Sequence, residues 1–200
     1  TTVVLGVVGL SGVSLKDVAM VEGARHSWGF LLIRRNELRW FLQGLFEKRG
    51  HLEILEVGCF KGFMVGWLRE NFPRDRYSWN YYGVDIVEPP DRRKDYPHYV
   101  MNAEALEFPS NRFDAVLMIE TLEHVVDYVK ALREAYRVLK PGGGLFIQSV
   151  TCSDPAAIGD PTHFHVLHPV TLGRLLLWLG FVDVQYGEGR NFVVVGYKPG

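Results

Sequence analysis

The stretch that most constrains the fold runs from Leu52 to Gly62 and reads Leu-Glu-Ile-Leu-Glu-Val-Gly-Cys-Phe-Lys-Gly. Its first half is an apolar run rich in branched residues, which is typical of a buried parallel strand. Gly58 and Gly62 bracket a short loop, and an amphipathic helical pattern follows from Phe63 to Asn71. Glycine lets the backbone approach a ligand closely, and a helix N-terminus offers free N–H groups. Taken alone, the stretch predicts a nucleotide-type cradle or a plain tight turn with equal force.

The chain after this stretch alternates strand and helix patterns, which predicts a mostly parallel sheet with helices on both faces. Strands are expected at 79–85, 96–101, 113–118 and 145–150, helices at 126–139 and 170–179, and a closing hairpin at 181–186 and 191–197. A clean break is expected at Pro141–Gly144, and the segment 153–168 is expected to be irregular. Because a dinucleotide-binding Rossmann domain normally continues with parallel strands, the closing hairpin argues against that class.

An acidic residue, Asp85, closes the second predicted strand. It lies 27 positions after Gly58, near the roughly 20-residue offset at which an acidic side chain binds a ribose diol in such folds. A carboxylate at this edge can accept both hydroxyls of a ribose, and it would repel a phosphorylated ribose. The structural alternative is a cap for the turn that follows the strand.

The order of the motifs strongly resembles the class I S-adenosylmethionine-dependent methyltransferases, in particular the small-molecule, type 11-like group. The resemblance covers roughly residues 50 to 197 and is carried by Leu52–Gly62, Tyr81–Asp85, Asn102–Glu104, Phe113–Met118, Leu122–Val125 and Arg137–Gly143. It implies a Rossmann-like, mostly parallel seven-stranded sheet with a C-terminal antiparallel hairpin. It also implies S-adenosyl-L-methionine as the cofactor and S-adenosyl-L-homocysteine as its product.

The resemblance further implies which residues hold the cofactor. Glu56 would orient the amino acid end, with a solvent-facing strand end as the structural alternative. Asn102 and the Ala103 N–H would contact the adenine edge, with an Asx-type turn as the alternative. The predicted cofactor residues are Glu56, Gly58, Cys59, Phe60, Gly62, Asp85, Ile86, Asn102, Ala103, Glu104, Ile119 and Glu120.

Phe60 departs from the family pattern, because it replaces the middle glycine of the loop between Gly58 and Gly62. Phenylalanine adopts a left-handed backbone only at a cost, and its ring fills space that a ligand would use. A working loop is therefore expected to hold Phe60 in an ordinary dihedral, with the ring turned away. Whether the substitution weakens cofactor binding stays open from the sequence.

Histidines gather in the segment from Gly159 to His168, where three of them and an aspartate lie within nine positions. Three interpretations stay open: a substrate site with His163 or His165 as a base, a metal site of His-x-His spacing, and a hydrogen-bonded loop. The predicted catalytic residues are His163, His165 and His124, and no resident metal is predicted. For His124 the alternative is a structural role at a helix start. The Asp-Pro-Thr-His run looks like a segment of methyltransferases that act on sugar-linked substrates.

Composition excludes several classes of protein. The chain has 200 residues, 48% hydrophobic content and a net charge of −1, which gives no electrostatic footprint for nucleic acid. Two cysteines make no disulfide framework, and no stretch reaches the ~20 apolar residues of a membrane span. The apolar N-terminus is a poor signal peptide. We therefore expect free thiols and a cytoplasmic location. Composition alone does not predict the oligomeric state.

The domain prediction is a methyltransferase domain at 51–200, preceded by an N-terminal extension with a lid helix at 1–50. The helix is expected from Ile33 to Lys48, where apolar spacing is helical and Gly50 follows. It is expected to pack against the sheet and either to cover part of the cofactor pocket or to be a simple extra helix. The predicted function is methyl transfer to an oxygen or nitrogen of a small-molecule or glycan-type acceptor. The alternatives are a non-catalytic binding protein on the same scaffold and an NAD-dependent oxidoreductase.

Overall fold

The computed structural model describes residues 34–189 and 191–200. The sequence pattern also indicates a strand at 3–10, one or two helical turns at 16–22 and a loop at 25–30, and all three stretches lie outside the described residues. In the described part of the chain no helix is long and apolar enough to cross a lipid bilayer.

Helices and strands alternate along the described chain, as the sequence predicts. The helices are α1 (Arg35–Arg49), α2 (Phe63–Asn71), a 3-10 turn (Leu122–His124), α3 (Tyr128–Val138), α4 (Pro155–Gly159) and α5 (Pro169–Trp178). The strands are β1 (His51–Val57), β2 (Ser78–Asp85), β3 (His98–Val100), β4 (Phe113–Ile119), β5 (Leu139–Val150), β6 (Val182–Gly187) and β7 (Asn191–Tyr197).

These strands form one sheet in the order β3-β2-β1-β4-β5-β7-β6. Strands β1 to β5 pair in parallel, whereas β7 runs antiparallel to both β5 and β6. The predicted fold class and the closing hairpin are therefore confirmed. The strand order reverses between β1 and β4, and open α/β sheets bind ligands outside the carboxyl ends of the strands at such a point.

Apolar side chains on the two faces of the sheet form two separate cores. On β1, Ile54 points to the face covered by α1 and α2, and Leu55 points to the face covered by α3 and α5. All seven residues of β4 are buried, as expected for a central strand covered on both faces. Helices on both faces thus hold the carboxyl edge of β1 and β4 in a fixed position.

Helix α1 packs directly on the sheet. Phe41 is fully buried, and its ring centroid lies 5.6 Å from that of Phe146 and 6.0 Å from that of Tyr197. The helix ends at Gly50, as its sequence predicts, because Gly50 takes a φ of 72° and donates its N–H to the Phe46 carbonyl. Helix α1 therefore shares the core that supports β1.

The clean break expected at Pro141–Gly144 is wrong, because β5 continues through it from Leu139 to Val150. The Gly142 N–H donates to the carbonyl of Lys198, and the Lys198 N–H donates to that of Gly143. The register with β4 shifts between Phe113 and Ala115, which accommodates the glycines as an irregularity within a paired strand. Pairing partners distant in sequence thus override the local turn signal.

Two other stretches also differ from the expectation, in addition to shifts of one or two residues at the ends of other elements. Strand β3 covers only His98–Val100, because Tyr96 turns into the core on the α1 and α2 face instead of continuing the strand. The segment expected to be irregular contains α4, whose first turn is capped by the Asp154 carboxylate accepting the Ala156 N–H at 2.9 Å. The remainder of that segment follows α4 as a loop along the carboxyl edge.

Candidate active site

The loop between β1 and α2 lies at the switch point and is attached to β2. The N–H groups of Gly58 and Cys59 both donate to the Val84 carbonyl, at 2.8 and 3.0 Å. Gly62 closes the loop by donating its N–H to the Cys59 carbonyl at 2.8 Å. The loop therefore has a defined shape without any ligand.

Both outer glycines of this loop are required by backbone conformation and by space. Gly58 has a φ of 81° and Gly62 a φ of 78°. A Cβ at Gly58 would overlap the side chain of Thr121, and a Cβ at Gly62 would overlap the ring of Tyr96. The two glycines thus have a packing reason that is independent of ligand binding.

Phe60 also takes a left-handed backbone, with a φ of 43°, so the expected ordinary dihedral is wrong. The reason lies in Asp85, whose Oδ2 accepts the Phe60 N–H at 2.8 Å. A left-handed non-glycine residue costs about 1–2 kcal/mol, and a hydrogen bond to a charged group contributes about as much in return. This position explains why a glycine suits the middle of the loop.

Asp85 lies where the resemblance implies, at the carboxyl end of β2 beside the loop. Its Oδ1 accepts the Val87 N–H at 3.4 Å, so it also contacts the following turn, as the structural alternative implies. Burial raises the pKa of Asp85, and the backbone N–H groups of Phe60, Val87 and Ile86 oppose that shift. A carboxylate offers about four lone-pair directions, so acceptor capacity remains for the hydroxyls of a ribose.

Glu56 points into the core on the α1 and α2 face, and the solvent-facing alternative is wrong. The residue is 6% exposed, and the Tyr81 hydroxyl donates to its Oε2. Burial raises the pKa of Glu56 to about 8. Cys59 lies close by and is buried, which raises the pKa of its thiol well above the usual value. The carboxyl of Glu56 is thus held protonated near neutral pH.

Glu56→Gln is expected to flatten the pH dependence of stability. The pKa of Glu56 is about 8 in the folded state and 4.5 for an unperturbed glutamic acid, as in the unfolded chain. The folded state therefore binds the proton more tightly than the unfolded state does. The free energy of unfolding therefore falls as pH rises from about 4.5 to 8. We expect the difference in the free energy of unfolding, variant minus wild type, to increase by about 2–4 kcal/mol from pH 5 to pH 8. Urea unfolding across this range measures the difference, and parallel curves would contradict the assignment.

The predicted adenine contacts lie after β3. The Oδ1 atom of Asn102 accepts the Glu104 N–H at 2.9 Å, which is the Asx-type turn of the structural alternative. The Met101 N–H donates to the Asp85 carbonyl at 2.9 Å, so this turn sits beside the end of β2. The Oε1 atom of Glu104 accepts the Asp127 N–H at 3.0 Å and connects the turn to the start of α3. Ala103 belongs to the same turn.

A pair of carboxyl groups follows β4, after Ile119. Glu120 accepts hydrogen bonds at Oε1 from the side-chain amides of Gln148 and Asn191, both at 2.8 Å. Glu123 is fully buried and accepts the Ser149 hydroxyl at 2.9 Å. Burial, together with the Glu120 charge, raises the pKa of Glu123 to about 8. Sequence reasoning missed Glu123, Gln148, Ser149 and Asn191; only the two acids three positions apart at a strand end hinted at them.

The structure brings two of the three predicted histidines together. The ring centroids of His124 and His163 lie 4.8 Å apart. His165 lies elsewhere, with its ring 4.7 Å from that of Tyr128 and its Nε2 2.9 Å from the Val126 carbonyl. His168 accepts the Val170 N–H at the start of α5. The histidine loop is attached to the site because Glu123 offers its carbonyl to the Phe164 N–H at 2.9 Å.

The fold is of the class I methyltransferase type. It has an open α/β sheet with one reversed strand, a glycine loop at the switch point of the sheet and a carboxylate at the end of the second strand. A comparison with protein families agrees, because residues 55–147 match the methyltransferase domain family. The fold is also that of solved S-adenosylmethionine-dependent methyltransferases.

Curated relatives match a shorter part of the chain. The ubiquinone/menaquinone biosynthesis C-methyltransferase UbiE of Pseudoalteromonas translucida is 39% identical over 77 residues, which is 38% of this chain and 31% of that protein. The enzyme of the same name from Enterobacter sp. (strain 638) is 48% identical over 69 residues, or 33% of this chain and 28% of that protein. The match thus spans less than a third of the length of these relatives.

Solved structures share the fold over most of the chain. A SAM-dependent methyltransferase from Archaeoglobus fulgidus has a TM-score of 0.64 at 18% identity, covering 80% of this chain and 94% of that one. The Burkholderia thailandensis 1,6-didemethyltoxoflavin-N1-methyltransferase, solved with S-adenosylhomocysteine, has a TM-score of 0.59 at 21% identity, covering 82% and 78%. At these identities the likeness shows the fold alone.

Proposed function

We propose that this chain transfers the methyl group of S-adenosyl-L-methionine to a small-molecule acceptor. The observation that carries the proposal is the arrangement of Asp85 and the loop 58–62 at the carboxyl ends of β1 and β2, in a domain of the methyltransferase family. The sulfonium methyl carbon is already electrophilic. The protein therefore contributes mainly by aligning the acceptor with the methyl–sulfur bond.

Bound along this edge, the cofactor would meet a different element with each of its parts. Asp85 would accept the ribose hydroxyls, and the turn that contains Asn102 and Ala103 would hold the adenine. Ile119 and Glu120, which follow β4, would hold the methionine part, and Glu56 would accept the ammonium of the amino acid end. The support is positional: all of these residues lie at strand ends that neighbour one another in the sheet.

The acceptor is a small molecule that loses a proton during transfer. Imidazoles titrate near neutral pH and suit this task, and His124, His163 and His165 all lie on the loops next to Glu123. A hydroxyl, an amine and an acidic ring carbon fit this description. The matched relatives are named for C-methylation in quinone biosynthesis, which favours an acceptor of quinone type over the sugar-linked one.

A panel of quinols and sugars, analysed by mass spectrometry of the product, separates these classes.

Binding of S-adenosylhomocysteine is expected to release a proton at pH 7. Glu56 is protonated in the free protein, because its pKa is about 8. The ammonium of the ligand favours the carboxylate, and an opposite charge at short range lowers a carboxyl pKa. Calorimetry in buffers of low and high ionisation enthalpy measures this release, which we expect to approach one proton per ligand.

The variant Glu56→Gln is the control, since it cannot release this proton while it keeps the shape of the side chain. We expect it to bind with an enthalpy that is independent of the buffer. No heat and no thermal shift with millimolar S-adenosylhomocysteine would overturn the proposed function itself. Binding with no buffer dependence in the wild type would overturn only the role of Glu56.

A second candidate function is a non-catalytic binding protein on the same scaffold. Phe60 favours it, because this phenylalanine sits in the left-handed position within the cofactor loop. Such a protein would bind S-adenosylhomocysteine without forming a methylated product from any acceptor. An NAD-dependent oxidoreductase is disfavoured by the reversed strand β7, and titration with NADH tests it directly.

A further inference from the structure

We propose that Glu123, His124 and His163 form a binding site for a divalent transition-metal ion. Their ligand atoms all lie within 4.8 Å of one another, and the three residues come from the 3-10 turn after β4 and from the loop after α4. Two imidazoles and one carboxylate are a ligand set that zinc and other first-row transition metals accept. Metal binding at this site is measured without reference to methyl transfer, but an imidazole nitrogen that ligates a metal cannot also accept a proton, so His165 is the base that remains when the metal is bound.

Backbone carbonyls fix the tautomers of both histidines. His163 Nδ1 lies 2.7 Å from the Ala157 carbonyl, and His124 Nδ1 lies 3.0 Å from the Thr162 carbonyl. A carbonyl only accepts, so each Nδ1 carries the hydrogen and each Nε2 presents a lone pair. A histidine that donates one ring N–H to a backbone carbonyl and ligates through the other nitrogen is the usual arrangement at metal centres.

A buried carboxyl oxygen completes the set. Glu123 is fully buried, and its Oε1 receives no hydrogen bond from an N–H or O–H donor among the described residues, although the Glu120 carboxyl group lies beside it. A buried polar atom without a partner is costly, and an ion is one of the few things that satisfies it. Glu123 is therefore the group that gains most from a cation.

A second carboxylate lies next to the set. Asp160 Oδ2 is 3.8 Å from His163 Nε2. Because Nδ1 of His163 carries the hydrogen, its Nε2 has a lone pair that faces the Asp160 carboxylate oxygen. Two hydrogen-bond acceptors this close are held together only by a cation or by an added proton between them. The site thus concentrates acceptors around one point at the carboxyl edge of the sheet.

The three ligands must move closer on binding. Atoms bound to one tetrahedral ion at about 2.0–2.1 Å lie roughly 3.4 Å apart, compared with separations of up to 4.8 Å here. His163 lies on a loop and not in a strand or helix, so closing the set requires a movement of this loop together with its hydrogen bond to the Ala157 carbonyl. Three protein ligands leave a coordination position open, as in catalytic metal sites. An oxygen of a substrate is the kind of group that would occupy it.

Metal titration of the purified full chain tests the site without reference to activity. The protein is freed of metal with a chelator, and Co²⁺ and Zn²⁺ are added in turn. We expect one ion per chain, with visible ligand-field bands for Co²⁺. His124→Gln and His163→Gln should each weaken binding by about 100-fold or more, since even outer-shell changes cost 10–100-fold. Glu123→Gln should have the same effect.

The matched control is His165→Gln, which removes a histidine two positions from His163 that lies outside the cluster. It should bind Co²⁺ as the wild type does. Thermal unfolding verifies that each variant folds. If the buried substitution Glu123→Gln prevents folding, the two histidine variants decide the test. Failure of the wild type to bind an ion, or equal binding by wild type and His163→Gln, would overturn the proposal. Binding of S-adenosylhomocysteine is measured separately, so the two proposals fail independently.

Discussion

Asp85→Ala is expected to weaken the binding of S-adenosylhomocysteine by about 100-fold or more. The carboxylate lies beside the loop 58–62 and accepts the Phe60 N–H. Each hydrogen bond to a charged group contributes about 1.5–3 kcal/mol, and the two ribose hydroxyls offer two of them. The substitution also leaves the Phe60 N–H without its acceptor, which loosens the loop. Calorimetric titration of wild type and variant measures the loss.

Asp85→Asn separates these two effects. The amide oxygen still accepts the Phe60 N–H, but the negative charge is gone, so we expect a smaller loss of about 10-fold. Asp91→Ala is the matched control, because Asp91 is an exposed acid that pairs with Lys61. It should bind as the wild type does. Unchanged affinity in Asp85→Ala would remove the ribose contact from the proposed function.

Gly58→Ala is expected to lower the free energy of unfolding by about 3 kcal/mol. The φ of Gly58 is 81°, and an alanine held in the left-handed region costs about 1–2 kcal/mol. The added Cβ would also overlap the side chain of Thr121, and overpacking of this kind costs about 1–3 kcal/mol. Thr121 has little freedom to move, because its single hydroxyl hydrogen is shared between the carbonyls of Val57 and Ile119, whose oxygens lie 3.1 and 3.0 Å from Oγ1.

Gly44→Ala provides the matched control for this prediction. Gly44 lies inside α1, and a Cβ there would meet no atom of the described residues within 4 Å. Alanine should therefore stabilise the helix by up to about 1 kcal/mol. Urea unfolding compares the two variants on one scale. A Gly58→Ala variant as stable as the wild type would show that the loop relaxes more easily than its contacts indicate.

The succession of helices and strands along the chain follows from the sequence because the signals for each element are local and repeated. Apolar runs such as Leu52–Val57 and the helical spacing from Phe63 to Asn71 predict the elements, and the hairpin around Gly187–Gly189 predicts the reversed strand. The break expected at Pro141–Gly144 fails for the opposite reason. Its outcome depends on pairing with Lys198, which lies more than fifty positions away in sequence.

The candidate site is predictable only in part. Asp85 and the glycines are found because their spacing follows from consecutive elements of one unit. Glu123 and its partner Ser149 come into contact only because β4 pairs with β5, and no periodic pattern of apolar residues in the sequence predicts that contact. The choice of His163 rather than His165 as the neighbour of His124 depends on the path of a loop. Sequence spacing suggested the pair of histidines that the fold keeps apart.

The hydrogen bond between Phe60 and Asp85 has a consequence for how tightly a nucleoside can be held. The unfavourable backbone of Phe60 is already stabilised in the free protein by the group that would receive the ligand. The entropy of ordering the loop is thus lost during folding, and a ligand that arrives later meets a preorganised surface. Ligand affinity and global stability are therefore linked through one carboxylate, so that a change at this position alters both together.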